Sequence, residues 1–186
     1  MKVIDAIASA LLLLGRPELV PYIEDPSNST YEDADDVVET LLYCFNAVED
    51  ELARKYIPLV ASEEMSSGNN QFLFSGFKRC PLKINRVTAD DKTVPFEVYA
   101  EYLSVHADKI VVKYEYAPSK KRLADISDYG DEVGIYLIAL GMASEYCVIN
   151  GEAEMAEIWE KRYRAYLDKV QRTLPVCAHI PPRRWI

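Results

Sequence analysis

The residues that could carry acid–base or metal chemistry in this 186-residue chain are two histidines, four cysteines and a few clusters of carboxylates. His106 lies in "SVHADK", which reads as a loop between strands. His179 lies two residues from Cys177, but one Cys and one His without two further clustered ligands do not make a zinc site. The cysteines at 44, 80, 147 and 177 contain no CxxC pair, and a reducing compartment is the simplest setting for them. Asp125, Asp128, Asp131 and Glu132 crowd the segment "DISDYGDEVG", but their spacing is not that of an EF-hand loop. They read instead as the acidic start of a helix, with Ser127 or Asp128 as its cap. Glu63-Glu64 and Asp90-Asp91 read as solvated charge. Phosphate-cradling GxxxxGK[ST] and GxGxxG motifs are absent, as is a GxSxG elbow. The expectation is a protein that is not an enzyme and holds no metal or cofactor. An enzymatic alternative would assemble a divalent-metal site from Asp125, Asp128 and Glu145.

A second group of residues is built for gripping. The chain ends in "CAHIPPRRWI". Pro181-Pro182 favours an extended approach. Arg183 and Arg184 can pair with carboxylates, and Trp185 and Ile186 can fill a groove. These four are expected to bind a partner, the alternative being that Trp185 folds back as a cap on its own domain. The net charge of −9 argues against nucleic acid as the main partner. That charge is unevenly placed. Residues 159–186 carry seven Lys or Arg and two Asp or Glu, against 14 and 28 in the rest of the chain. The acidic Glu32, Asp33 and Asp36 and the basic Lys161, Arg162 and Arg164 are therefore expected to form complementary subunit interfaces.

The elements that must position these residues follow from periodicity. Residues 3–14 read as a core helix stopped by Gly15 and Pro17. Asp5 and the poor site Leu14-Gly-Arg-Pro argue against a signal peptide, and Ala6–Leu14 is too short to span a bilayer. No membrane partner is expected. Leu19–Asn28 reads as a Pro-punctuated connection. Ser29-Thr-Tyr-Glu32 is a capping box for a helix carrying Val37, Leu41, Cys44, Val48, Leu52 and Tyr56. From Phe72 to Tyr116 the pattern is strand-like, with "TADDKT" as a hairpin turn. Asp128–Ile149 and Glu152–Arg172 read as helices whose short Asn150-Gly151 connection makes them antiparallel neighbours. The expected class is α+β: an antiparallel bundle of about four helices, with one small antiparallel sheet inserted between the second and third long helical segments. It forms one domain, with N-terminal helices in 1–65, a β insertion in 70–118, a helical hairpin in 126–174 and an arm in 175–186.

Certain stretches carry a resemblance: "FKRCPLKINRVTADDKTVPFEVYAEYL", "KIVVKYEYAPSKKRLADISDYGDEVGIYLIALGMASEYCVINGEAEMAEIWEKRYRAYL" and the final "IPPRRWI". The run G-x-A-x-E-Y-x-x-x-x-G-x-x-x-x-A-x-x-W-x-x-R spans Gly141 to Arg162. Over residues 28–186 the chain resembles phage and prophage head–tail connectors, the adaptors that include the tail tubular A proteins of short-tailed phages. The segment "IDAIASALLLLG" has no counterpart in that pattern. The resemblance implies a structural protein of the virion neck, assembled in the host cytoplasm. It implies a ring, a dodecamer, formed beneath the portal, with portal and tail proteins as partners and an arm that reaches the portal. DNA would pass through without sequence-specific binding. The competing expectation is a small ligand-binding or regulatory protein, with a pocket at the sheet–helix junction lined by Tyr99, Tyr102, Tyr114 and Tyr116.

Overall fold

The computed structural model describes residues 1–25, 32–130 and 133–173. Helix α1 (Val3–Leu13) buries Val3, Ala6, Ile7, Ala10 and Leu11, one apolar stripe at helical spacing. Gly15 ends the turn in the left-handed region at φ 74°, and its N–H reaches the Leu12 carbonyl at 3.3 Å. A 3-10 turn (Pro17–Leu19) leads into the short helix α2 (Val20–Glu24). Pro17 and Pro21 each sit in the first turn, where no N–H is needed.

Helix α3 (Ala34–Glu51) turns its apolar face inward and loosens into a single π-helical turn over Leu52–Tyr56. Ser29, expected to cap it, lies outside the described residues. The helix starts with Asp33 at its N-cap, whose carbonyl accepts the Val37 N–H at 3.0 Å. Arg16 clamps the Asp33 carboxylate at 3.0 and 3.2 Å while its Nε donates to Glu18 at 2.5 Å.

Among the described residues there are seven strands, and all follow α3. Strands β1 (Leu59–Ser66), β3 (Pro81–Ala89), β4 (Lys92–Thr93) and β7 (Lys109–Tyr116) form an antiparallel sheet in the order β1-β7-β3-β4. Strand β7 alternates strictly, burying Ile110, Val112, Tyr114 and Tyr116. Its register runs from Leu59 opposite Tyr116 to Ser66 opposite Lys109. Asp90 and Asp91 turn β3 into β4 with φ 48° and 60°, the pair of positive values a two-residue hairpin needs. Strands β2 (Gln71–Leu73), β5 (Glu97–Val98) and β6 (Tyr102–Ser104) form a second antiparallel sheet in the order β2-β6-β5.

A segment without helix, described over residues 117–130, then returns towards the helices. Its Ile126 forms a bridge with Lys2, and the Ser127 N–H bonds the Met1 carbonyl at 3.0 Å. Helix α4 (Ile135–Ile149) is apolar almost all round and lies against α1, α3 and helix α5 (Ala153–Thr173). Gly151, at φ 76°, closes the α4–α5 turn.

The expected architecture is corrected on three counts. Among the described residues there are five α-helices rather than about four, and two antiparallel sheets rather than one. The strands come after the third helix, not between the second and third helices of a four-helix bundle. The extra helix is α2, which the prolines begin instead of preventing. The sheet divides at Pro95, which has no N–H to donate, so Lys92–Thr93 and Glu97–Val98 join different sheets. Leu59–Ser66, placed among the N-terminal helices of 1–65, is β1. Its alternation is disguised by Glu63 on the half-buried side, where the carboxylate accepts the Tyr114 hydroxyl and, at 3.1 Å, the Lys78 N–H.

Candidate interaction surface

Helix α4 sets the spacing of the bundle. A Cβ on Gly141 would lie 2.9 Å from Val48 Cγ1 and 3.1 Å from Tyr163 Cε2, so only a glycine lets α3 and α5 come this close. The helices α3 and α5 thereby flank α4, each with an outer face. The outer face of α3 carries Asp36, Glu39 and Tyr43 at helical spacing. With Thr40 and Ile149 of α4 they line an open groove of about 480 Å³. Tyr43 is 66% exposed and Ile149 50%. The outer face of α5 exposes Met155 and Ile158, then Lys161, Arg162 and Lys169.

The expected interface residues fall into three settings. Glu32, Asp33 and Asp36 are exposed around the start of α3, with Asp33 already held by Arg16. Lys161 is exposed but pairs with Glu157 at 2.7 Å, and Arg162 lies over the Trp159 ring at 4.9 Å. Arg164 is turned along the protein itself. Its Nε meets Glu160 at 2.5 Å, its Nη2 lies 3.8 Å from Glu51, and Nη1 donates to the Tyr56 hydroxyl. These contacts hold its guanidinium above the ordinary arginine value. Arg183, Arg184, Trp185 and Ile186 lie outside the described residues, as do Asp131, Glu132, Cys177 and His179.

Glu39, Thr40, Tyr43 and Ile149 were not singled out in the sequence. Their signal was present in the polar face of α3, where Asp36, Glu39 and Tyr43 recur at intervals of three and four. A buried polar cluster was also missed. Glu49 is fully buried, and its Oε1 accepts the Ser127 hydroxyl at 2.6 Å and the Asp128 N–H at 2.9 Å. Lys121 Nζ and Arg79 Nη1 each reach Asp128 at 3.1 Å, and Arg79 lies over the Tyr116 ring at 4.3 Å. Asn46 grips the Lys121 backbone on both sides, donating to its carbonyl at 3.1 Å and accepting its N–H at 2.6 Å. Glu49 and Asn46 thus fasten the 117–130 segment onto α3, and Arg79 ties its Asp128 to the residues before β3. Burial pushes the Glu49 carboxyl above the usual carboxylate range, against the opposing pull of its Ser127 and Asp128 bonds. A charged residue next to Val48 on an apolar stripe was the available signal.

This cluster corrects the helix-cap expectation. Ser127 and Asp128 bind Glu49, and α4 begins only at Ile135. The trio Asp125, Asp128 and Glu145 is also divided. Asp125 accepts the Arg122 N–H at 2.8 Å, and Asp128 is held by Lys121 and Arg79. The Glu145 carboxyl is raised by burial and by the charges of Glu51 and Glu160. Among the described residues no group of three or more His, Cys, Asp or Glu is arranged to hold a metal. The expected tyrosine pocket separates as well. Tyr99 and Tyr102 stack at 4.7 Å on the three-stranded sheet, whereas Tyr114 and Tyr116 are buried from the other sheet, Tyr114 edge-on to Phe77.

No protein-family model matches the chain, and comparison with curated proteins finds no match either. Among the described residues no helix is long and apolar enough to cross a membrane.

Proposed function

We propose that this chain is a non-enzymatic structural adaptor of a phage or prophage virion neck, forming a ring between portal and tail through which DNA passes. The observation that carries this reading is the pair of unlike outer faces on α3 and α5. A ring of identical subunits needs two different, mutually complementary patches on each copy. The exposed carboxylates Glu32, Asp36 and Glu39 offer one. The exposed Met155, Ile158, Arg162 and Lys169 of α5 offer the other. The acidic balance of the chain suits a channel through which DNA slides, because phosphate contacts to Lys and Arg are what hold DNA. The motif from Gly141 to Arg162 supports the reading through packing, since its Gly141 and Trp159 lie in the bundle core.

The test is co-expression with the portal protein encoded in the same genome, followed by size-exclusion chromatography. The adaptor reading expects one high-mass complex, weakened by salt as charge pairing requires. Separate elution of the two proteins at low salt and high concentration would reject it.

A further inference from the structure

We infer that the groove formed by Asp36, Glu39, Thr40 and Tyr43 of α3 with Ile149 of α4 receives the Arg183–Ile186 segment of a second copy of this chain. The inference rests on the ring reading and adds the segment that follows α5 to the basic patch that meets the α3 carboxylates.

The first argument is charge. On α3 and at its N-cap, Asp33, Asp50 and Glu51 are each paired with a cation, Asp35 accepts the Tyr22 hydroxyl, and Glu49 is buried. Asp36 and Glu39 have no ion-pair partner among the described residues, and they stand one turn apart on the groove wall. Two adjacent guanidiniums match two carboxylates so spaced. The second argument is apolar. Tyr43 and Ile149 expose large apolar surfaces beside those carboxylates. Trp185 and Ile186 follow Arg183 and Arg184 directly in sequence. The order of chemistry in the segment is therefore the order offered by the groove: charge, then aromatic and aliphatic surface.

The third argument concerns which copy supplies the segment. Tyr43 and Ile149 share the groove at one end of the bundle. Gln171, near the end of α5, bonds the Tyr56 carbonyl at 3.0 Å, at the other end of α3. Tyr43 and Tyr56 are thirteen positions apart along the helix, about 20 Å. Helix α5 therefore ends, at Thr173, away from its own groove. The nine residues before Arg183 span at most about 30 Å and would have to double back along the bundle to fill that groove. A neighbour placed head-to-tail presents its groove where α5 leads.

The test uses full-length protein. The receiver carries Arg183→Glu and Arg184→Glu, which disables its own segment and keeps its groove. The probe is a dye-labelled peptide of residues 176–186, followed by fluorescence anisotropy. Saturable, salt-sensitive binding is expected, weakened roughly tenfold or more by adding Asp36→Lys and Glu39→Lys to the receiver. Circular dichroism melts confirm that both receivers are folded. No binding, or equal binding to both receivers, overturns the inference. Sedimentation of the wild-type chain then decides the donor. Concentration-dependent association that Trp185→Ala diminishes supports a second copy. A wild-type monomer that excludes the peptide shows the segment seated in its own groove and overturns the assignment in trans. Co-elution of the wild-type chain with its portal, measured separately, tests the ring reading, so failure of this contact and failure of that reading are distinguishable.

Discussion

Gly141 of α4 faces Val48 of α3 so closely that a Cβ there would stand 2.9 Å from Val48 Cγ1. Alanine is the better helix former by about 1 kcal/mol. Here that gain is outweighed, because Val48 is a β-branched core residue and the Tyr163 ring lies on the other side at 3.1 Å. Gly141→Ala is expected to destabilise the protein by about 1–3 kcal/mol, as overpacking does. Urea denaturation measures it. A stabilised variant would mean that the helices can separate freely.

The buried Glu49 carboxyl gives a pH signature. Its value in the folded chain is raised by burial above its unfolded value. The folded state therefore holds the proton more tightly, and stability falls as pH rises from the ordinary carboxylate value through the raised one. Glu49→Gln keeps an acceptor for Ser127 and the Asp128 N–H while removing the charge. It is expected to flatten that slope in pH-dependent melts. Glu49→Ala leaves both donors without an acceptor and is expected to cost about 1–3 kcal/mol.

The Tyr163 hydroxyl is buried, with no hydrogen-bond partner among the described residues. Removing it takes away a polar group that was desolvated without return. Tyr163→Phe is expected to be neutral or to stabilise by up to about 1 kcal/mol. A loss of more than that in chemical denaturation would show that the hydroxyl is satisfied.

The β3–β4 turn holds Asp91 at φ 60°. Glycine enters that region without penalty, and Asp-Gly is a favoured pair for such a turn. Asp91→Gly is expected to raise stability by up to about 1 kcal/mol, read as a higher denaturation midpoint with an unchanged slope.

Cysteine reactivity should separate by burial. Cys44 is buried and its thiol is pushed up to about 12, while Cys147 is buried and pushed up to about 11. Cys80 is exposed. Brief alkylation of the native protein at pH 8, followed by peptide mass spectrometry, should modify Cys80 and spare Cys44 and Cys147. Equal labelling of all three would show that the bundle opens readily.

Legibility in the sequence followed the strength of local patterns. The α4–α5 hairpin was visible because Asn150-Gly151 breaks two long periodic runs. Strand β7 was visible because its side chains alternate between sheet faces without interruption. Strand β1 was hidden by an inward Glu63 whose partner, Tyr114, lies 51 positions away. Helix α2 was hidden because prolines that usually break helices here begin one. The division into two sheets depends on which strands pair, and pairing is set by distant residues. For the candidate surface, the acidic start of α3 could be read directly. The groove could not, because Ile149 reaches it from a helix a hundred residues later. The engagement of Arg164 with Glu51, Glu160 and Tyr56 was invisible for the same reason.

The most direct test of the adaptor reading is the mass and shape of the full-length chain mixed with its portal protein, by light scattering and negative-stain imaging. The account predicts a ring with a central channel, seated on the portal and built from many copies of this chain. A chain that stays monomeric, and whose scattering is unchanged when portal is added, would contradict it.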